Sequence, residues 1–227
     1  MLGDDLSSSR LERTRVLGAR GKGVKTRDPH HQALAGLAAF ADEGRFGWGE
    51  LLIVTALADE LQLSPTPVRE ALARLAGEGM VEHRPGRGYF APSPSAGDIA
   101  DLYEIHRRLA HWAIEACSWD CAAVVLNDAP LTQRLEAVFA GLVSAAGSSI
   151  LTRTFRRTTA QLRMLRAWEA RTSPLTRLQV DRLEAVLAAN DPVALRDEVD
   201  AYHRDRVGVA EMVVAEARRA AESISPI

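Results

Sequence analysis

Cysteine is scarce in this chain, with only Cys117 and Cys121 among 227 residues. Four apart on a stretch with helical patterning, the two thiols are badly placed for a disulfide and too few for a zinc site, so they read as buried free thiols. A dominant charge is also lacking. Lys and Arg number 28 against 30 Asp and Glu, a formal net charge of -2, so no global positive excess advertises a nucleic-acid partner and any basic surface must be local. Long hydrophobic runs are absent too. CAAVVL, at 121–126, is far too short to cross a bilayer, and the N-terminus shows no hydrophobic export segment. These absences point to a cytoplasmic chain with no membrane partner. What is present is 47% hydrophobic residues over a length that fits two modest domains, each with its own core.

Residues 1–27 carry seven basic residues (Arg10, Arg13, Arg15, Arg20, Lys22, Lys25, Arg27) against Asp4, Asp5 and Glu12. With few large apolar residues, the segment reads as a disordered basic arm able to add phosphate contacts. Its GARGKGVKT is no phosphate loop, because Val24 stands where that motif needs lysine.

From 28 to 92 the pattern predicts three helices and a hairpin. Leu34, Leu37, Ala38 and Ala41 share one face of the first; GWGELL forms a loop; Thr55 caps a short second helix carrying Leu57 and Leu61. In the third, Ser64 is expected to accept from the orphan amides as N-cap. Pro65 takes the first helical position, where a missing N–H costs nothing, and Val68, Ala71, Leu72 and Leu75 form the buried stripe. Thr66, Pro67, Arg69, Glu70 and Arg74 then fall on or near the outer faces. Gly79 ends the helix, MVEHR and YFA are strands, and PGRG is the turn between them. The result is a winged helix-turn-helix, whose third helix suits the major groove and whose wing gives a second grip. Acidic residues outnumber basic ones nine to five within 28–92, yet Arg69, Arg74, Arg84 and Arg87 lie on the helix and wing that would face DNA.

The sequences S-x-T-P-V-R-E-A-L, R-L-x-x-E-G and R-x-G-R-G, within residues 31–92, resemble the DNA-binding domain of the GntR superfamily of bacterial transcription regulators. The resemblance implies DNA contacts from Ser64, Thr66, Pro67, Arg69 and Arg74, and from the wing residues Arg84, Pro85, Gly86 and Arg87. One position departs. The family commonly carries a base-reading arginine immediately after the capping serine, and here that residue is Pro65.

Residues 95–227 read as helix throughout. One stripe runs Ile99, Leu102, Ile105, Leu109, Trp112, Ala116; a second runs Leu131, Leu135, Val138, Phe139, Leu142; a third holds Phe155, Leu162 and Leu165. Leu175, Leu178, Leu183, Val186 and Leu187 follow, and Asp191-Pro192 opens a last long helix through Val199, Tyr202, Val207 and Val213. The fold class expected is mostly α, a winged helix-turn-helix with a small hairpin followed by an all-α bundle.

An all-helical domain in this place resembles the FCD domain of the FadR-like branch. The resemblance implies a homodimer and a small-molecule effector, of which an organic acid is one kind. Many such domains hold a metal through one Asp and three His, but here Val180 replaces one His, and the Asp-x-x-x-His pair becomes either Glu136 and Ala140 or Thr152 and Arg156. Only His203 falls near a ligand position, and His106 and Ala110 stand where the branch has Arg and Glu. No metal and no other cofactor is expected. His106, Arg156 and His203 remain as effector-binding candidates, with His203 open to readings as relic ligand, effector contact or satisfied core histidine. Arg153, Arg156, Arg157, Arg163 and Arg166 share what looks like one helix, either as a solvated face or with Arg156 turned inward to an anion. Two other functions compete. A bundle that only dimerises fits the depleted ligand set, whereas an enzyme built on His106, His111 or His203 lacks a nucleophile, base and orienting group in any recognisable spacing.

Overall fold

The computed structural model describes residues 28–119 and 128–224; the N-terminal arm and Cys121 lie outside them. Three helices open the fold: α1 (Pro29–Asp42), α2 (Val54–Leu61) and α3 (Pro65–Gly77). Ala33, Leu37 and Ala41 of α1 meet Leu57 and Ala58 of α2 and Val68, Ala71, Leu72 and Leu75 of α3 in one apolar core. A three-stranded antiparallel sheet closes it, with β1 (Leu51–Leu52), β2 (Glu82–Arg84) and β3 (Gly88–Phe90) in the order β1-β3-β2. GWGELL is therefore more than a loop. Leu51 pairs with Phe90 and Leu52 with Tyr89, a pairing that two residues of sequence cannot announce. Two expected caps also differ. Ile53, not Thr55, precedes the first residue of α2, and Ser64 holds the N-cap position of α3 in extended backbone without a side-chain capping bond.

Seven further helices form a bundle: α4 (Ala96–Ala116), α5 (Leu131–Ala145), α6 (Ser149–Arg163), α7 (Arg166–Thr172), α8 (Arg177–Ala188), α9 (Pro192–Gly208) and α10 (Ala210–Ile224). Ser95 and Asp98 start α4 with reciprocal capping bonds, and Asp191 accepts from the amides of Val193 and Ala194 at the start of α9. The long closing helix breaks at Val209 into α9 and α10, leaving Val207 partly exposed. The arginine run is likewise divided, since α6 ends at Arg163 and α7 begins at Arg166.

The largest difference concerns α4. Its buried face carries Ile99, Tyr103, His106, Ala110, Ala113 and Ile114. The apolar stripe read from the sequence is mostly the next face round, where Ile105 and Trp112 remain 47% and 49% exposed. Leu178 of α8 is exposed as well. No helix among the described residues is long and apolar enough to cross a membrane.

Candidate nucleic-acid interface and bundle sites

The first turn of α3 presents Ser64, Pro65, Thr66 and Arg69 to solvent, with Arg74 exposed two turns along. Pro67 does not join them. It is buried beside Val68, because the position two residues after Pro65 turns towards the apolar core. The wing is a tight turn in which the Arg87 amide donates to the Arg84 carbonyl at 2.9 Å. Gly86 takes φ +72°, left-handed backbone that follows Pro85 as a type II turn requires.

The arginines divide into two groups. Arg84 donates to Glu82 at 2.7 Å and its guanidinium lies 4.1 Å from the Phe90 ring centroid, so it braces the hairpin. Arg74 donates to Glu78 at 3.0 Å, one turn further along α3. Arg69 and Arg87 make no ion pair among the described residues and are exposed, leaving two cations uncommitted on the helix and the wing tip.

The other end of α3 belongs to the bundle. Arg157 donates from Nε to the Glu78 carbonyl at 3.1 Å and from Nη2 to that of Gly77 at 3.0 Å, and Gln161 donates to Glu78 at 3.2 Å. These carbonyls end a helix and have no partners within it, and they carry the negative end of its dipole, so a cation there is favoured. Gly79, at φ +76°, lets the contact form. A Cβ there would come within 2.3 Å of the Gln161 amide nitrogen. Arg163 adds a second tie, between Asp42 of α1 at 3.6 Å and Glu136 of α5 at 2.6 Å.

The other flank of α6 faces a cavity. Arg156, Thr159 and Arg163 line about 260 Å3 of space against Glu136, Ala140 and Val143 of α5. Arg156 is exposed at this cavity, not turned into the bundle core. Both registers considered for the Asp-x-x-x-His pair thus line this one cavity, since Glu136, Ala140, Thr152 and Arg156 all border it.

His106 and His203 lie elsewhere, in the bundle core and against each other. His203 Nδ1 is 2.7 Å from the Val199 carbonyl, His203 Nε2 is 2.7 Å from His106 Nδ1, and His106 Nε2 is 3.3 Å from the Thr159 hydroxyl. A carbonyl only accepts, so His203 carries its proton on Nδ1. Its Nε2 then accepts from His106 Nδ1–H, and His106 Nε2 faces the Thr159 hydroxyl, whose single proton is shared between that nitrogen and the Phe155 carbonyl at 3.0 Å. Both rings are neutral and all four nitrogens are engaged. Burial pushes the pKa of His106 well below the ordinary histidine range and that of His203 down to about 4. The pair does not fit a metal. Each imidazole spends its lone pair inside the network, Phe139 and Phe155 pack on His106, and Val180 is fully buried. Among the described residues, no group of three or more His, Cys, Asp or Glu is placed to hold one.

Residues 34–90 match the family model for bacterial regulatory proteins of the gntR family, a span that contains α2, α3 and the wing. The likeness to that family is confined to this winged helix-turn-helix. A match of 39% identity over 88 residues is found with the Nta operon transcriptional regulator of Aminobacter aminovorans, covering 37% of this chain and 42% of that protein. Two solved structures align with most of this chain at 18% identity. E. coli McbR/YncC aligns over 82% of this chain and 98% of its own with a TM-score of 0.60. A putative transcriptional regulator GntR from Rhodococcus sp. RHA1 aligns over 80% and 96% with a TM-score of 0.61. At this identity the two structures speak for the fold alone, a winged helix-turn-helix followed by a helical bundle.

Sequence reasoning missed three features of this region. The clamp of Arg157 and Gln161 on α3 spans about eighty residues of chain, so no local pattern reveals it. Arg134 and Arg206 are buried, and a lone arginine in a helical repeat reads as solvent-facing by default.

Proposed function

We propose that this protein is a transcription regulator that binds a palindromic operator as a homodimer, with an affinity set by a small molecule in the helical bundle. The observation that carries the reading is the pair of uncommitted, exposed cations, Arg69 and Arg87, on the third helix and the wing of a GntR-type domain. Thr66 and Arg69 enter the major groove, Ser64 and Arg74 approach the backbone, and the wing tip at Pro85, Gly86 and Arg87 reaches a neighbouring groove. Arg84 shapes the wing from below.

Dimerisation uses the outer face of α4. Ile105 and Trp112 stand two helical turns apart, both half exposed, with Leu102 and Leu109 beside them. Arg108 lies between them and is neutralised by Glu104 at 2.6 Å. A two-fold axis through this point sets each Ile105 against the Trp112 of the other copy, an isologous contact free of a bare like-charge clash. Ligand control runs through α6, which borders the Arg156 cavity on one flank and grips the end of α3 on the other. A molecule that binds better to one setting of α6 shifts the population of DNA-binding orientations.

The test is selection of bound duplexes from a random pool, followed by titration of the winner against a scrambled duplex. Tighter binding to the selected palindrome, by a species of dimer mass, supports the reading. Equal binding to both sequences rejects it. Operator binding that no bundle ligand alters favours a bundle that serves only to dimerise.

A further inference from the structure

A groove runs between the winged helix-turn-helix and the bundle. Pro92 and Pro94, in the segment joining β3 to α4, face Leu102 and Ile105 of α4 across about 300 Å3 of open space, a volume at the lower end of the range for small-molecule sites. The proline rings fix φ, so their wall is stiff as well as apolar. Ile105 is 47% exposed, and Leu102, Pro92 and Pro94 are part-buried, so the apolar surface is open to a visitor. Gly79 and Gln161 border the groove at the point where α6 grips the end of α3.

The charge of the groove has one sign. Asp98 and Asp101 border it, three residues apart on α4 and so neighbours on the helix surface. Both are exposed, and neither makes an ion pair among the described residues. Asp98 uses only Oδ2, which accepts from the Ser95 amide at 2.8 Å and from its hydroxyl at 2.7 Å. Asp101 has no hydrogen-bond partner among the described residues. No Lys, Arg or His borders the groove. Arg157, next to Gly79, spends its donors on the carbonyls of Gly77 and Glu78. An apolar trough edged by two uncompensated carboxylates attracts a cation carried on a hydrocarbon body and repels an anion of the same shape.

We propose that this groove binds an amphipathic organic cation, its charged head against Asp98 and Asp101 and its apolar body on Pro92, Pro94, Leu102 and Ile105. The site is separate from the Arg156 cavity, which lies on the other flank of α6. Its occupant touches the winged helix-turn-helix and the bundle at once, beside the Arg157 and Gln161 clamp, and so biases how the two are set. Only that consequence at the operator rests on the regulator reading, because binding itself is measured without DNA. Ile105 also belongs to the proposed dimer face, but every group of the groove comes from one chain, so a monomer keeps the site.

The probes are benzyltrimethylammonium and butyltrimethylammonium chloride, titrated calorimetrically into the full chain at matched ionic strength. Tetramethylammonium chloride supplies the head without the body, and sodium benzenesulfonate the body with the opposite charge. The two amphipathic cations are expected to bind the wild type, and both comparison salts to bind about tenfold more weakly or worse. Asp101→Asn lowers the affinity by about two- to fivefold, the worth of an exposed ion pair, and Asp101→Lys by about tenfold or more. Asp101 is exposed and unpartnered, so neither substitution disturbs the fold. Asp197→Lys, at an exposed acid of α9 outside the groove, leaves binding unchanged, and so does Trp112→Arg. No binding of either cation, equal binding of cation and sulfonate, or an Asp101→Lys variant indistinguishable from wild type would each overturn the proposal. Loss of binding in Trp112→Arg would overturn it too, by assigning the groove to the contact between two copies. Asp101-dependent binding with unaltered operator affinity would uphold the site and reject its regulatory consequence. An operator response to another molecule, equal in wild type and Asp101→Lys and with no cation binding, would reject the site and leave the regulator reading standing.

Discussion

The guanidinium of Arg157 closes the C-terminal end of α3 by donating to the carbonyl of Glu78 at 3.1 Å, so the bundle holds one end of α3 while the other, with Thr66 and Arg69, is exposed. Arg157→Ala, alone or with Gln161→Ala, is expected to cost about 0.5–1.5 kcal/mol of stability per hydrogen bond removed. It also uncouples the operator from any bundle ligand. Chemical denaturation gives the first quantity, and operator titrations with and without ligand give the second.

The His106–His203 pair makes stability depend on pH. Both folded-state pKa values are depressed by burial, whereas an unfolded histidine titrates near 6.5. Between about pH 6.5 and 4 the unfolded chain binds protons that the folded chain refuses, so the pair's contribution is complete above 6.5 and is lost as pH falls. The expected loss by pH 5 is about 2 kcal/mol for each histidine that stays neutral, about 4 kcal/mol for the pair. Melting curves at a series of pH values measure it, and the double substitution His106→Leu, His203→Leu should flatten the profile across that window.

The outer face of α4 predicts the oligomeric state. Trp112→Arg should convert a dimer to a monomer in light-scattering measurements, with a change in protomer stability within about 0.5 kcal/mol because the side chain is half exposed. Operator affinity should fall with it.

Pro65, exposed at the first position of α3, cannot make the paired hydrogen bonds with which arginine discriminates guanine. Pro65→Arg should add discrimination of about 1–3 kcal/mol at one base pair per half-site, read from selected-site profiles of the two proteins. An unchanged profile would show that another side chain already reads that base.

The N-terminal fold was legible because its signals are local. Ser64-Pro65 marks a helix start, Val68, Ala71, Leu72 and Leu75 keep one face, and Pro85-Gly86 makes a turn that needs left-handed backbone. The strand at Leu51–Leu52 was not, since its identity comes from pairing with β3 across nearly forty residues. The burial of α4 was misread for a different reason. Ile105 and Trp112 on one face compete with Tyr103 and Ala110 on the next, and periodicity alone cannot separate a face made for the core from one left outside. Arg206 gave no signal at all, because a buried arginine is recognised only by what surrounds it.

The most direct measurement is fluorescence anisotropy of the full chain on a duplex selected from a random pool and on its scrambled counterpart, across a salt series, for wild type, Arg69→Ala and Arg87→Ala. The account predicts binding to the selected duplex tighter by about a thousandfold or more, and a salt slope lowered by about 0.9 for each phosphate contact removed. Equal affinity for the two duplexes, or two alanine variants indistinguishable from wild type, would contradict it.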